Sequence, residues 1–200
     1  FIEINTRELS TALCCAELSI PASASQTMPA QQTSKPKTSL NVLVLGVGNI
    51  LLSDEAAGVK AVEEFSRSVE LPPEVEILDG GTSGVELLPY LDDRTHLFIV
   101  DAAQNSKLEP GQAFVLDLSG SPGHFQQKIS PHQLGLSDVL AIAQMTDALP
   151  PNITLVGITP KDLSTGLELS PEVQAGVDRA VELLIQELNG LGLELTRKTG

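Results

Sequence analysis

Four side chains in this sequence sit where carboxylate or imidazole chemistry is done: Glu55, Asp79, Asp101 and His132. Each falls at the end of a patterned segment rather than inside one. Glu55 closes Gly46-Val-Gly-Asn-Ile-Leu-Leu-Ser-Asp-Glu55, a glycine turn running into a helical pattern. Asp79 follows the apolar stretch Val75 to Leu78 and precedes Gly80 and Gly81. Asp101 ends the run Leu97-Phe-Ile-Val100, and His132 lies in Ser130-Pro-His-Gln133 ahead of an amphipathic stretch. Two acids and a histidine without cysteine form an O,O,N set suited to a borderline divalent ion such as nickel or zinc. Paired carboxylates can instead share a proton and divide acid and base work. Each residue also has an ordinary reading: Asp79 as a turn former, Asp101 as a hydrogen-bonding loop residue, His132 as a plain loop residue. His96 and His124 have no comparable context and read as surface groups.

For these groups to meet, the chain must bring several strand ends to one place. Val42 to Leu45 is a continuous aliphatic run, the pattern of a strand covered on both faces. Further strands are expected at Val75 to Leu78, Leu97 to Asp101, Ala113 to Leu118 and Ile153 to Ile158. Helices are expected at Asp54 to Ser68, Gly84 to Tyr90, Leu134 to Ala148 and Pro171 to Leu188, with Asp54 capping the first. The last carries Val173, Val177, Ala180, Val181, Leu184 and Leu188 on one face, with Ser170 as its cap and Gly190 as its stop. Alternating strands and helices predict an α/β sandwich. If the strands bearing Glu55, Asp79 and Asp101 are parallel, all three acids emerge at the carboxyl edge, where open α/β sheets bind ligands. The link from Asp101 to Ala113 contains Pro110-Gly111 and is short for a parallel crossover, so it is expected to form a hairpin, with Ala113 to Leu118 antiparallel to its predecessor.

Composition removes several classes. The net charge of −14 and pI near 4.4 argue against nucleic acid and against a basic membrane-binding face. No apolar run approaches the roughly 18 to 20 residues of a membrane span. Cys14 and Cys15 are adjacent and cannot staple distant elements, which fits a reducing, cytoplasmic setting. Leu51 stands where the third glycine of a dinucleotide fingerprint belongs, and Asp54 and Glu55 would repel a pyrophosphate. There is no G-x-S-x-G, H-E-x-x-H or Walker sequence.

Residues 1–38 are rich in Ser, Thr, Ala, Gln and Pro, and are expected to form a flexible arm with no net charge, foreign to the native protein if Met28 is the true start. Its Ala22-Ser-Ala24 makes only a poor signal peptide, because Glu3, Glu8 and Glu17 interrupt it. Residues 39–192 read as one domain and 193–200 as a tail.

Taken together, G-x-G-N-x-L-x-x-D-E at 46–55, Asp79-Gly-Gly-Thr82 with Leu87-Leu-Pro89, Ile99-Val-Asp-Ala102, Ser130-Pro-His-Gln133 and Leu155-Val-Gly-Ile158 with Pro160 resemble the nickel-iron hydrogenase maturation endopeptidases. The resemblance covers nearly all of residues 41 to 190. Ala56 departs from it where many members carry glycine. It implies a three-layer α/β/α sandwich of the phosphorylase/hydrolase-like type on a five-stranded mixed sheet with one antiparallel strand. It implies an aspartic-type or nickel-dependent endopeptidase that removes the C-terminal extension of the hydrogenase large-subunit precursor after nickel insertion. By the same resemblance Glu55, Asp101 and His132 contact the metal, Asp79 is a further functional acid, and the nickel arrives in the precursor rather than as a resident cofactor. Asp79 as base and metal-bound water both stand as ways of activating water. A monomeric protein meeting its substrate transiently is implied as well. The alternative from another class is a non-catalytic nickel-sensing hydrogenase chaperone.

Overall fold

The computed structural model describes residues 2–4, 39–119 and 135–198. Its elements in chain order are β1 (Ile2–Ile4), β2 (Val42–Val47), α1 (Ala57–Ser68), β3 (Val69–Glu70), β4 (Val75–Gly81), α2 (Leu88–Leu91), β5 (His96–Asn105), β6 (Ala113–Asp117), α3 (Leu136–Met145), β7 (Asn152–Ile158), α4 (Pro171–Gly190) and β8 (Thr196–Arg197). The main sheet runs β4-β2-β5-β7-β6. Strands β4, β2, β5 and β7 are parallel, and β6 alone is antiparallel, against β7.

Strand periodicity sorts the core into two layers. Val42, Val44, Phe98, Val100, Ala102, Val156 and Ile158 pack with Ala61, Val62 and Phe65 of α1 and with Val173, Val177, Ala180, Val181, Leu184 and Leu188 of α4. Leu43, Leu45, Leu97, Ile99, Ala103, Ile153 and Leu155 face the other way, onto Leu87, Leu91 of α2 and Val139, Leu140, Ala143 of α3. A period of two in strands buried on both sides produces this split and explains the unbroken aliphatic runs. Each fully buried Leu or Ile contributes roughly 1.5–3 kcal/mol, so the two layers supply the bulk of the driving force for folding.

Four expectations change in detail. The segment from Asp101 to Ala113 reverses direction, but β5 and β6 do not pair: β7 lies between them, because β5 is bonded on that side along His96–Ala102 to Asn152–Ile158. Second, the helix expected from Asp54 begins as a 3-10 turn at Ser53–Ala56 and becomes α-helical at Ala57. Third, α4 runs through Gly190 and is closed by Gly192, at φ +84°, whose N–H bonds the Asn189 carbonyl at 2.9 Å. Fourth, Asp79-Gly80-Gly81, expected to follow the strand that ends at Leu78, belongs to it. It is the end of β4, with a bulge where Gly46 pairs with Asp79 and Val47 with Gly81.

At the termini, Ile2–Ile4 lies parallel to Ala103–Asn105, and Thr196–Arg197 pairs antiparallel with Val69–Glu70. Residues 5–38, including Cys14, Cys15 and Met28, lie outside the described residues. No described helix is long and apolar enough to cross a membrane.

Candidate active site at the carboxyl edge of the sheet

The turn that carries Glu55 is built by close packing around glycine. Gly48 has φ +145°, and a Cβ there would stand 1.9 Å from the Glu55 carbonyl oxygen. Gly58 opens α1 against the strand ends, where a Cβ would meet the carbonyl oxygens of Val100 and Val47 at 2.2 and 2.3 Å. The absence of side chains at these positions lets the first turn of α1 sit directly on the ends of β2 and β5. Between them the chain is folded by local bonds: Asn49 Oδ1 accepts from Leu51 N at 3.0 Å, and Glu55 N donates to Leu52 O at 3.0 Å. Ser53 adopts φ +44°, a left-handed conformation that costs a non-glycine residue about 1–3 kcal/mol and persists only where neighbours enforce it.

Asp54 is the enforcing neighbour. Its carboxylate is fully buried and accepts four hydrogen bonds, from Lys161 N (3.0 Å), Asp162 N (2.8 Å), Ser170 N (2.6 Å) and Ser170 Oγ (2.9 Å). Asp54 N in turn donates to Asp162 O at 3.0 Å. The residue expected to cap α1 therefore clamps the segment after β7 onto the Glu55 turn. Ser170 is the first residue before α4, yet its hydroxyl goes to Asp54 instead of capping the helix. Nothing local in the sequence announces this, since donors and acceptor are more than a hundred positions apart.

Asp101 lies within the buried part of β5, one residue past its last pairing with β2, and is 2% exposed. Burial pushes its carboxyl up to about 7; the Glu55 charge acts in the same direction, while a hydrogen bond from Ala102 N–H opposes it. Its Oδ1 is buried without a hydrogen-bond partner. A buried carboxylate oxygen in this condition calls for a proton or a cation. Thr159, at the end of the neighbouring β7, has the same feature: it is 1% exposed and its Oγ1 has no partner. Glu55 is half-buried on the adjoining 3-10 turn.

Asp79 lies at the same sheet edge but on a different face. In register it stands opposite Gly46, which stands opposite Val100, so its Cα is two strand spacings, about 10 Å, from that of Val100. Asp79 lines an open groove of about 480 Å³ with Val59, Lys60 and Glu63 of α1 and with Ile50 and Ile77. Alternation along β5 sends Asp101 the other way, with Ile99 and Ala103. Asp79 is exposed, and its Oδ1 accepts from Gly81 N at 3.0 Å. Glu55 is near enough for its charge to act on the Asp101 carboxyl, and Asp79 stands apart along the edge. His132 and His124 lie outside the described residues. Among the described residues no group of three His, Cys, Asp or Glu side chains closes into a metal site. His96 is partly covered, with Nδ1 3.0 Å from Thr95 Oγ1, and burial lowers its pKa.

Comparison with known proteins shows the family. A family model described as hydrogenase maturation protease matches residues 59–187, a stretch that includes Asp79, Asp101 and His132. The chain is 46% identical over 155 residues to the hydrogenase 2 maturation protease of Escherichia coli, covering 78% of this chain and 94% of the relative. The chain belongs to the hydrogenase maturation proteases. It is also 38% identical over 158 residues to the hydrogenase expression/formation protein HupD of Rhodobacter capsulatus, covering 78% of this chain and 75% of that protein. Among solved structures it is similar to the hydrogenase maturating endopeptidase HybD from E. coli, with a TM-score of 0.73 and 45% identity over 80% of this chain and 98% of that one. As a hydrogenase maturation protease the chain is a hydrolase, and the five-stranded mixed sheet between two helical layers is the family's fold.

Proposed function

We propose that this protein removes the C-terminal extension of a nickel-iron hydrogenase large-subunit precursor once nickel is in place. The observation that carries the reading is Asp101: a fully buried carboxyl, raised to about 7, with an unpartnered oxygen beside Glu55 at the ligand-binding edge of the sheet. Holding such a group out of water is costly, and a cation brought by the substrate would relieve the cost.

Nickel is assigned here as part of the substrate, not as a resident cofactor. Glu55, Asp101 and His132 offer three donors of O, O and N type, too few for a complete shell without ligands from the precursor. Contact with the metal therefore reports that insertion is complete and brings the scissile peptide bond to the edge. Hydrolysis needs water added to the peptide carbonyl carbon and a proton delivered to the departing amine. Asp79, the exposed acid on the same edge, is assigned the proton-handling role, which makes the enzyme aspartic in type. The protein acts as a monomer in the cytoplasm and binds its precursor transiently.

The reading is tested by incubating nickel-loaded and nickel-free precursor with the protein and with Asp101→Asn, Asp79→Asn and His132→Ala, and weighing the products by mass spectrometry. Trimming of loaded precursor alone, lost in each variant, is expected; equal trimming of both precursors would overturn the nickel-gated reading.

A further inference from the structure

The segment held by Asp54 does more than support the turn. Leu51 O accepts from Gly166 N at 3.0 Å, and Gly166 O accepts from Ser53 N at 2.9 Å, a parallel bridge centred on Leu52 and Gly166. Gly166 permits the approach, since a Cβ there would lie 2.4 Å from Ser53 Oγ. With the four bonds to Asp54, two loops far apart in sequence become one rigid rim directly beside Glu55. Four large apolar side chains on that rim reach water, beside the exposed Lys161, Asp162, Ser164, Thr165 and Glu168. Ile50 is 52% exposed, Leu51 56%, Leu163 40% and Leu167 72%.

Large side chains exposed on a chain of net charge −14 are individually ordinary, but four of the eight exposed large hydrophobics among the described residues fall on these two joined loops. Such side chains gain by being covered, and the clamp means that they are presented without further ordering, which lowers the entropic cost of association. The rim is continuous with the turn that carries Glu55. Whatever macromolecule is brought to Glu55 must lie against it.

We propose that Ile50, Leu51, Leu163 and Leu167 form the docking surface for an apolar face of the hydrogenase large-subunit precursor around its cleavage site. This rests on the function proposed above and adds where the precursor is gripped. The partner's chemistry is set by the surface: apolar contact at the rim, with the metal-bearing part of the precursor reaching Glu55 and Asp101 behind it.

The test is steady-state trimming of purified nickel-loaded precursor by the full chain carrying Ile50→Asp, Leu167→Asp or, as a control on another element, Met145→Asp. Met145 is the last residue of α3 and 85% exposed. Each altered side chain is exposed, so thermal midpoints are expected to stay within about 2 °C of the parent. Ile50→Asp and Leu167→Asp are each expected to raise KM for precursor at least about tenfold, and Leu167→Asp, which lies outside the Asp79 groove, to keep kcat within about twofold, because a charge is placed in a contact that must become dry. Met145→Asp is expected to leave KM unchanged. Unchanged KM in both rim variants, or an equal rise in all three, would overturn the docking surface. Sedimentation gives a further check: a dimer of the parent that Leu167→Asp dissolves, with KM unaltered, would assign the rim to a second copy and also overturn it. Failure of the parent to trim precursor at all would instead reject the function on which this rests.

Discussion

Replacing Asp101 with asparagine should make the protein more stable and inactive at the same time, and the gain should depend on pH in a definite way. In the native state the Asp101 carboxyl is raised to about 7 by burial, against an ordinary value of 3.8 in the unfolded chain. Below pH 4 both states hold the proton and the group contributes no difference. Between about pH 4 and 7 the native state binds more protons than the unfolded state, so stability falls as pH rises through this window and levels off above it. Once ionised, the buried group costs the native state about 4 kcal/mol, an upper bound on the order of three pH units at 1.36 kcal/mol each. Asparagine keeps the shape and can still accept from Ala102 N–H, but never ionises. The stability of Asp101→Asn minus that of the parent should therefore grow from about 1–2 kcal/mol at pH 5 to about 4 kcal/mol at pH 8. For a chain of this size that corresponds to a thermal shift of roughly 8–16 °C at the higher pH. Urea unfolding of both proteins with a chelator present, at pH 5 and pH 8, measures it. The difference between the two proteins is the informative quantity, because the other carboxylates cancel. A difference that stays flat between those pH values would refute the claim that burial, rather than a compensating partner, governs Asp101.

The remaining predictions concern the turn and its clamp. Asp54→Asn should destabilise by about 3 kcal/mol in urea unfolding, since only one of the two acceptor oxygens is kept, leaving either the Ser170 amide or the Lys161 and Asp162 amides facing an NH2 group. Ser170→Ala, which removes only the hydroxyl bond, should cost about 1 kcal/mol by the same measurement. Gly48→Ala should lower processing of precursor at least about tenfold as well as stability, because its φ of +145° and the 1.9 Å approach to the Glu55 carbonyl leave no place for a Cβ without moving Glu55.

The sheet was legible because its strands are buried on both faces. Val42 to Leu45 and Leu97 to Val100 are continuous apolar runs with no competing helical period, and both form strands at the expected places. The α4 face was legible for the matching reason: Val173, Val177, Ala180, Val181, Leu184 and Leu188 are all buried. Placement of Glu55, Asp79 and Asp101 at one edge followed from parallel strands, which β2, β4 and β5 are. What the sequence did not carry is pairing at long range. Insertion of β7 between β5 and β6 depends on which edge β7 finds, and Pro110-Gly111 announces a reversal of direction without naming the partner. The Asp54 clamp was hidden for the same reason, because an aspartate ahead of a helix looks like a cap whatever its side chain finally binds. Gly80 and Gly81 looked like a turn because a bulge and a turn use the same residue, and only the register of β2 against β4 separates them.

In the proposed function, cleavage waits on nickel held by the precursor and sensed by Glu55, Asp101 and His132. Mass analysis of one precursor preparation, divided into nickel-loaded and nickel-free halves and incubated with this protein, tests it most directly. Loss of the C-terminal extension from the loaded half alone, and none from either half with His132→Ala, is expected. Trimming of the nickel-free half at the same rate would contradict it.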